Sequence, residues 1–195
     1  MATSRRRNRP GALLLTPGAG ADRNHHTLLA VAGAVDPLPC ERVDFPRRKA
    51  GKQGVDRPPV AIASLVADAE ALVKRTGITA NQLILGGRSF GGRMCSMAVA
   101  DGLPAAGLVL LSYPLHPPGK PDRMRTEHFS ALDLPCLCIS GDRDPFGNPD
   151  EFAEAIKAIP GPVSQVWLPG GHDPRNVDDA IGEAVRNWID SLTPR

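Results

Sequence analysis

The sequence predicts an α/β architecture: a doubly wound, mainly parallel sheet of about six or seven strands with no lid domain. Three observations carry that expectation. Short apolar runs of strand length alternate with longer stretches of helical period, the pattern of a parallel sheet with helices on both faces. Several of the short runs lack polar alternation, as fits strands covered on both sides. Proline and glycine, 20 of each, concentrate in residues 46–59 and 114–121, which read as surface loops because no second core-sized segment lies beyond either.

Taken in order, residues 12–15 (ALLL) form the first strand, and 41–45 (ERVDF) a weaker one nearer an edge. Ile62, Leu65, Val66, Ala69, Leu72 and Val73 recur at three- and four-residue steps and stop before Gly77, as a surface helix with a left-handed cap does. Residues 83–85 (LIL), 108–111 (LVLL), 137–139 (LCI) and 163–167 (VSQVW) are further strands. Phe152, Ala155, Ile156 and Ile159 repeat the helical pattern before Pro160-Gly161. Val177, Ile181, Ala184, Val185, Trp188 and Ile189 repeat it at the C-terminus.

With 195 residues, 42% of them hydrophobic, the chain buries one substantial core. The expected organisation is a flexible basic terminus over residues 1–10, carrying Arg5-Arg6-Arg7-Asn8-Arg9, and a single domain over 11–195. A balance of 23 basic against 21 acidic side chains, net charge +2, argues against nucleic acid or an anionic membrane as the main partner. No apolar run of signal or membrane-span length follows the arginines, so the expected location is cytoplasmic. The cysteines at 40, 95, 136 and 138 lack the paired spacing of a zinc site and read as reduced, small apolar residues, with Cys136 and Cys138 on one face of their strand. No glycine-rich phosphate fingerprint or metal cluster is present, so no cofactor is implied.

The chemistry concentrates at Gly86-Gly87-Arg88-Ser89-Phe90-Gly91-Gly92. An apolar strand ends directly before it and a helical pattern starts directly after it. In a sharp strand-to-helix turn the serine adopts a strained backbone, and side chains two residues either side would collide with the neighbouring strand and helix, hence the glycines. A nucleophilic serine needs a base, and the base needs an orienting carboxylate. Gly141-Asp142-Arg143-Asp144-Pro145-Phe146-Gly147 follows the fifth strand, and Pro169-Gly170-Gly171-His172-Asp173 the sixth. Of the five histidines only His172 falls in a loop between a late strand and the final helix; Asp142 and Asp144 both stand where the acid should be. Thr16-Pro17-Gly18-Ala19-Gly20, after the first strand, supplies backbone N–H groups for an oxyanion hole at Ala19 and Gly20, with Phe90 N–H as the second donor.

These segments resemble the α/β-hydrolases, and within them the small lidless group described as dienelactone-hydrolase-like. The resemblance runs from about Leu13 to Trp188 and rests on TPGAG, GGRSFGGRM, LSYPLHPPGKPDRMRTEHF, GDRDPFG and GGHD. It implies a serine hydrolase acting on small acyl esters or thioesters through Ser89, Asp144 and His172, because in such hydrolases the acid usually closes a G-x-x-D turn. Pro17 replaces the histidine that the family commonly carries before the first oxyanion-loop glycine. Ser89 replaces the cysteine of dienelactone hydrolases proper, so their particular substrate does not carry over. Some relatives of this type serve as scaffolds, which makes a non-catalytic binding protein the alternative. Residues 112–133 contain no insertion of lid size, so the expected pocket is shallow and open. Arg88, Tyr113, His116, His128, Phe129 and Phe146 are its candidate lining, in loops beyond strand C-terminal ends. The expected partner is a small acyl substrate, and the chain a monomer or homodimer.

Overall fold

The computed structural model describes residues 9–192, so the expectation of a flexible terminus falls, for residues 1–8, outside the described residues. Six strands form one sheet in the order β2-β1-β3-β4-β5-β6, every neighbouring pair parallel. They are β1 (Ala12–Thr16), β2 (Cys40–Arg42), β3 (Leu83–Arg88), β4 (Gly107–Leu111), β5 (Cys136–Gly141) and β6 (Val163–Leu168). The helices are α1 (His26–Ala34), α2 (Pro46–Lys49), α3 (Pro58–Thr76), α4 (Phe90–Ala100), α5 (Pro149–Ala155) and α6 (Asp178–Ser191). None of the described helices is long and apolar enough to cross a membrane.

The apolar strands lack polar alternation because both faces are covered. Leu14, Leu85, Leu108, Leu110, Cys136 and Cys138 face a core closed by Leu65, Ala69 and Leu72 of α3, Met94, Cys95 and Ala98 of α4, and Phe152 of α5. Leu13, Leu15, Ile84, Val109, Leu137 and Ile139 face the opposite core, closed by Leu28 and Val31 of α1 and Ile181, Val185 and Ile189 of α6. The four cysteines are free thiols. Cys136 and Cys138 share a face as expected, and burial pushes the thiols of Cys95 and Cys138 up to about 12.

Helix α3 opens on Pro58-Pro59 and ends at Gly77, whose φ of 71° is the left-handed cap read from the sequence. The second strand is shorter than the expected 41–45. After Arg42 one further bond, Val43 N–H to Leu15 O (2.9 Å), reaches β1, and Val43 and Phe45 bury in the core that α3 and α4 close, so three residues pair as the sheet edge. Helix α1 was not apparent from the sequence: its apolar residues cover it nearly all round, with Leu28 and Val31 buried but Leu29 exposed, so no stripe marks an inner face. It lies close against α6, where a Cβ at Gly182 would stand 2.8 Å from that of Ala34.

The order of connection reverses between β1 and β3. Neighbouring connections there leave toward opposite faces of the sheet, opening a crevice at the strand C-terminal ends. Thr16 and Arg88 end those two strands, which brings the loop at 17–20 against the turn at Ser89.

Candidate active site

Ser89 sits between β3 and α4 with φ 50° and ψ −114°, a conformation that L-residues rarely adopt. Its surroundings over-determine it. A Cβ at Gly87 would run into Thr16 Oγ1 and stand 2.6 Å from Gly91 C; one at Gly91 would be 2.5 Å from Pro17 O; one at Gly92 would be 2.7 Å from Gly87 O. The backbone is pinned as well, with Ser89 N–H donating to Leu111 O (2.8 Å) and Arg93 N–H to Ser89 O (3.1 Å). Replacing Gly91 by alanine must push the β1 loop away from the turn. We expect a loss of about 1–3 kcal/mol, the usual cost of overpacking, accompanied by a drop in any activity at Ser89; denaturant melts and rate assays of Gly91→Ala check both together.

Ser89 Oγ lies 2.8 Å from His172 Nε2, and His172 Nδ1 lies 2.8 Å from Asp144 Oδ2. With the imidazole proton on Nδ1, the ring donates to Asp144 and accepts from Ser89. Asp144 is buried, and its other oxygen accepts the Phe146 N–H at 2.9 Å. The Phe146 ring stacks on the imidazole, centroids 4.1 Å apart. Asp142 makes no hydrogen bond or ion pair with His172: its Oδ1 accepts the Gly170 N–H at 2.9 Å and its side chain is about half exposed. The acid loop and the histidine loop are further joined by Arg143 N–H to Gly170 O (2.9 Å). They approach so closely that a Cβ at Gly141 would overlap Gly171 O.

On the other side of Ser89, a Cβ at Gly18 would be 3.4 Å from Ser89 Cβ. Pro17 thus does not hold the loop off the turn. Arg48 fixes the loop from outside, its Nη2 donating to Gly20 O (2.7 Å) and its Nε to Ala21 O (3.3 Å). Among the described residues, the N–H groups of Ala19, Gly20 and Phe90 have no hydrogen-bond acceptor. A small open cleft borders them, with Phe45, Val55 and Phe90 as its apolar wall.

Residues 9–191 match the family described as the alpha/beta hydrolase domain. The chain belongs to the alpha/beta hydrolase family. Solved structures share its fold across nearly the whole chain. Est1E from Butyrivibrio proteoclasticus is 14% identical, with TM-score 0.73, covering 96% of this chain and 90% of its own. The Bacillus cereus carboxylesterase is 19% identical, with TM-score 0.66 and coverage of 96% and 91%. A pyrethroid hydrolase from Sphingobium faniae JZ-2 is 18% identical, with TM-score 0.69 and coverage of 92% and 97%.

In this alpha/beta hydrolase the residues named from the sequence as pocket lining are dispersed. Phe146 lies beside the imidazole. Tyr113 and Phe129 are drawn into the core, the tyrosine hydroxyl donating to Arg125 O at 2.7 Å; an apolar ring with its one polar atom satisfied is stable there. His116 is buried between Pro117 O (2.9 Å) and Glu151 Oε1 (3.2 Å). His128 hydrogen-bonds Ser96 Oγ at 2.7 Å through Nε2, and burial, with Arg93 nearby, holds its pKa below the ordinary histidine value. Arg88 is only 10% exposed and turns toward the histidine loop rather than the cleft, donating through Nη2 to His172 O (2.9 Å) and pairing with Asp173 Oδ1 (3.0 Å).

Sequence reasoning missed the group around Asp173. His25 Nε2 (3.3 Å) and His26 Nε2 (3.2 Å) meet the same Oδ1 that Arg88 holds, Arg175 Nη2 meets Oδ2 at 2.6 Å, and His26 Nδ1 is 2.7 Å from Asp178 Oδ1. Burial, reinforced by Arg88 and His26, lowers the His25 pKa from 6.5 to about 4, so this ring is neutral at neutral pH. Its Nδ1 accepts the Thr27 N–H (3.3 Å), leaving the Nε2 proton for Asp173. Partial burial pushes the Asp173 carboxyl up, but Arg88, His25 and Arg175 outweigh it and hold it below the ordinary carboxylate range. The donor atoms of His25, His26 and Asp173 lie within 4.8 Å of one another. Two guanidinium groups already occupy the only carboxylate among the three, which puts positive charge where a cation would have to bind.

Proposed function

We propose that this alpha/beta hydrolase is a serine esterase that cleaves small acyl esters or thioesters through Ser89, His172 and Asp144 and an acyl-enzyme intermediate. The observation that carries the reading is the continuous hydrogen-bond chain from Ser89 Oγ through His172 to buried Asp144, at 2.8 Å in both links, on a backbone with φ 50°. Ser89 Oγ attacks the acyl carbon while His172 Nε2 takes its proton, and Asp144 holds the resulting imidazolium. The negative oxygen of the tetrahedral intermediate is met by the N–H of Phe90 and those of Ala19 and Gly20, which have no acceptor among the described residues. The C–O or C–S bond then breaks, His172 returns the proton to the departing alcohol or thiol, and water repeats the sequence in reverse on the acyl-enzyme.

A general base works only when unprotonated, so kcat/KM for an activated ester is expected to rise with pH to a plateau. Burial and the Arg88 charge hold the His25 pKa down at about 4, which separates its titration from a rise at higher pH. The cleft beside the oxyanion loop is small and open, so an octanoyl chain would leave most of its surface in water, and acetyl and butyryl esters should be turned over at least as efficiently. Hydrolysis of acetyl, butyryl and octanoyl nitrophenyl esters across pH, in the native protein and in His172→Ala, tests this. Equal slow rates in the two proteins, without saturation, would favour a binding protein that keeps the fold but not the chemistry.

A further inference from the structure

The residue before the nucleophile is a nearly buried arginine whose charge faces the protein rather than the cleft, and burying a guanidinium is costly unless its partners are well placed. Arg88 has such partners on the histidine loop, and it links three segments. Its backbone ends β3 and leads into the Ser89 turn. Its Nη2 spans His172 O and Asp173 Oδ1 at 2.9 and 3.0 Å. Its Nη1 lies against the oxyanion loop, so close that a Cβ at Gly18 would stand 3.1 Å away. Burial pulls the guanidinium below its ordinary value while Asp173 and Asp144 oppose the shift, and it stays cationic because this group does not deprotonate in proteins. Asp173 is in turn held from the far side by His25 and His26, and His26 by Asp178 at the start of α6.

We propose that Arg88 is a positioning residue: clamped between the His172 carbonyl and the Asp173 carboxylate, it holds the base-bearing loop at the distance from which His172 reaches Ser89. This rests on the reading of Ser89, His172 and Asp144 as the catalytic group. A guanidinium suits the task, because it donates to a carbonyl and a carboxylate at once through Nη2 while its Nη1 sits beside Gly18. Asp173, next to the base in sequence, is the anchor, and His25 and His26, at the cap and first position of α1, keep it from turning into solvent.

The test compares Arg88→Met, Arg88→Lys, Asp173→Ala and the Arg88→Met/Asp173→Ala double variant for ester hydrolysis, fluorophosphonate labelling rate and Tm. Displacing a reacting group by about 1 Å costs on the order of a hundredfold in rate. Arg88→Met is therefore expected to lower kcat and the labelling rate tenfold to a hundredfold, with KM within a factor of about two, since no substrate contact is lost. Asp173→Ala should act in the same direction, and the double variant should be no slower than Arg88→Met alone, because both break one clamp. Arg88→Lys should recover part of kcat. A rise in KM at unchanged kcat in Arg88→Met would make Arg88 a substrate contact and overturn the proposal. So would native kcat in Asp173→Ala, which decides the matter even if Arg88→Met fails to fold. Native protein and Ser89→Ala run alongside as controls. If the native protein is not labelled, or Ser89→Ala is labelled equally, the catalytic reading falls and the clamp with it; if only native is labelled and the clamp variants label at the native rate, the clamp alone is wrong.

Discussion

Ser89→Ala is expected to lower kcat for a short activated ester by about five to six orders of magnitude, the loss usual when a triad nucleophile is removed, while Tm moves by no more than about 4 °C. The two halves of this expectation have separate causes. Alanine keeps the Cβ and removes only Oγ, whose single described protein partner is His172 Nε2, and one hydrogen bond contributes about 0.5–1.5 kcal/mol. The backbone at φ 50° is held by its bonds to Leu111 and Arg93 and by the close approaches at Gly87, Gly91 and Gly92, all of which the substitution leaves in place. Without Oγ there is no atom to accept the acyl group, and the base and the oxyanion-hole N–H groups have nothing to activate. Saturation kinetics and thermal melts on the same preparation measure both halves.

The two aspartates of the acid turn should separate as clearly. Asp144→Asn is expected to lower kcat by about 10⁴-fold. The asparagine can still accept the Phe146 N–H through its oxygen, but its amide then faces His172 Nδ1 as a donor. The imidazole must place its proton on Nε2, toward Ser89, where it can no longer take one. Asp142→Asn is expected to stay within about tenfold of native, because the new amide oxygen would keep an acceptor for Gly170 N–H and Asp142 makes no hydrogen bond or ion pair with the imidazole. Comparable losses at both positions would move the acid from 144 to the turn as a whole.

The elbow was legible in the sequence for a steric reason: contacts at 2.5–2.7 Å exclude every residue but glycine at 91 and 92, and such constraints write themselves into the chain. The strands were legible because sheets buried on both faces need continuous apolar runs. Which aspartate meets the histidine was not resolved by residues alone. Asp142 and Asp144 are equally competent side chains, and what separates them is that β5 ends at Gly141, leaving Asp142 beside Gly170 and carrying Asp144 inward to His172. The group around Asp173 was out of reach, since it joins α1 to the histidine loop across about 147 positions and α1 itself carries no apolar stripe. Tyr113 shows the converse limit: a loop position beyond a strand end suggests exposure, but packing against Phe129 decided the matter.

The most direct measurement is to map the covalent adduct. Trypsin cuts after Arg88 and Arg93 and releases the peptide of residues 89–93, SFGGR, in which Ser89 is the only hydroxyl. After brief incubation with a fluorophosphonate, mass spectrometry of the native protein should find the phosphonyl group on that peptide, with labelling slowed as pH falls, lost in Ser89→Ala and strongly reduced in His172→Ala. An adduct on another peptide, or the same slow labelling in all three proteins, would contradict the account and leave the glycine-rich turn an architectural feature without a nucleophile.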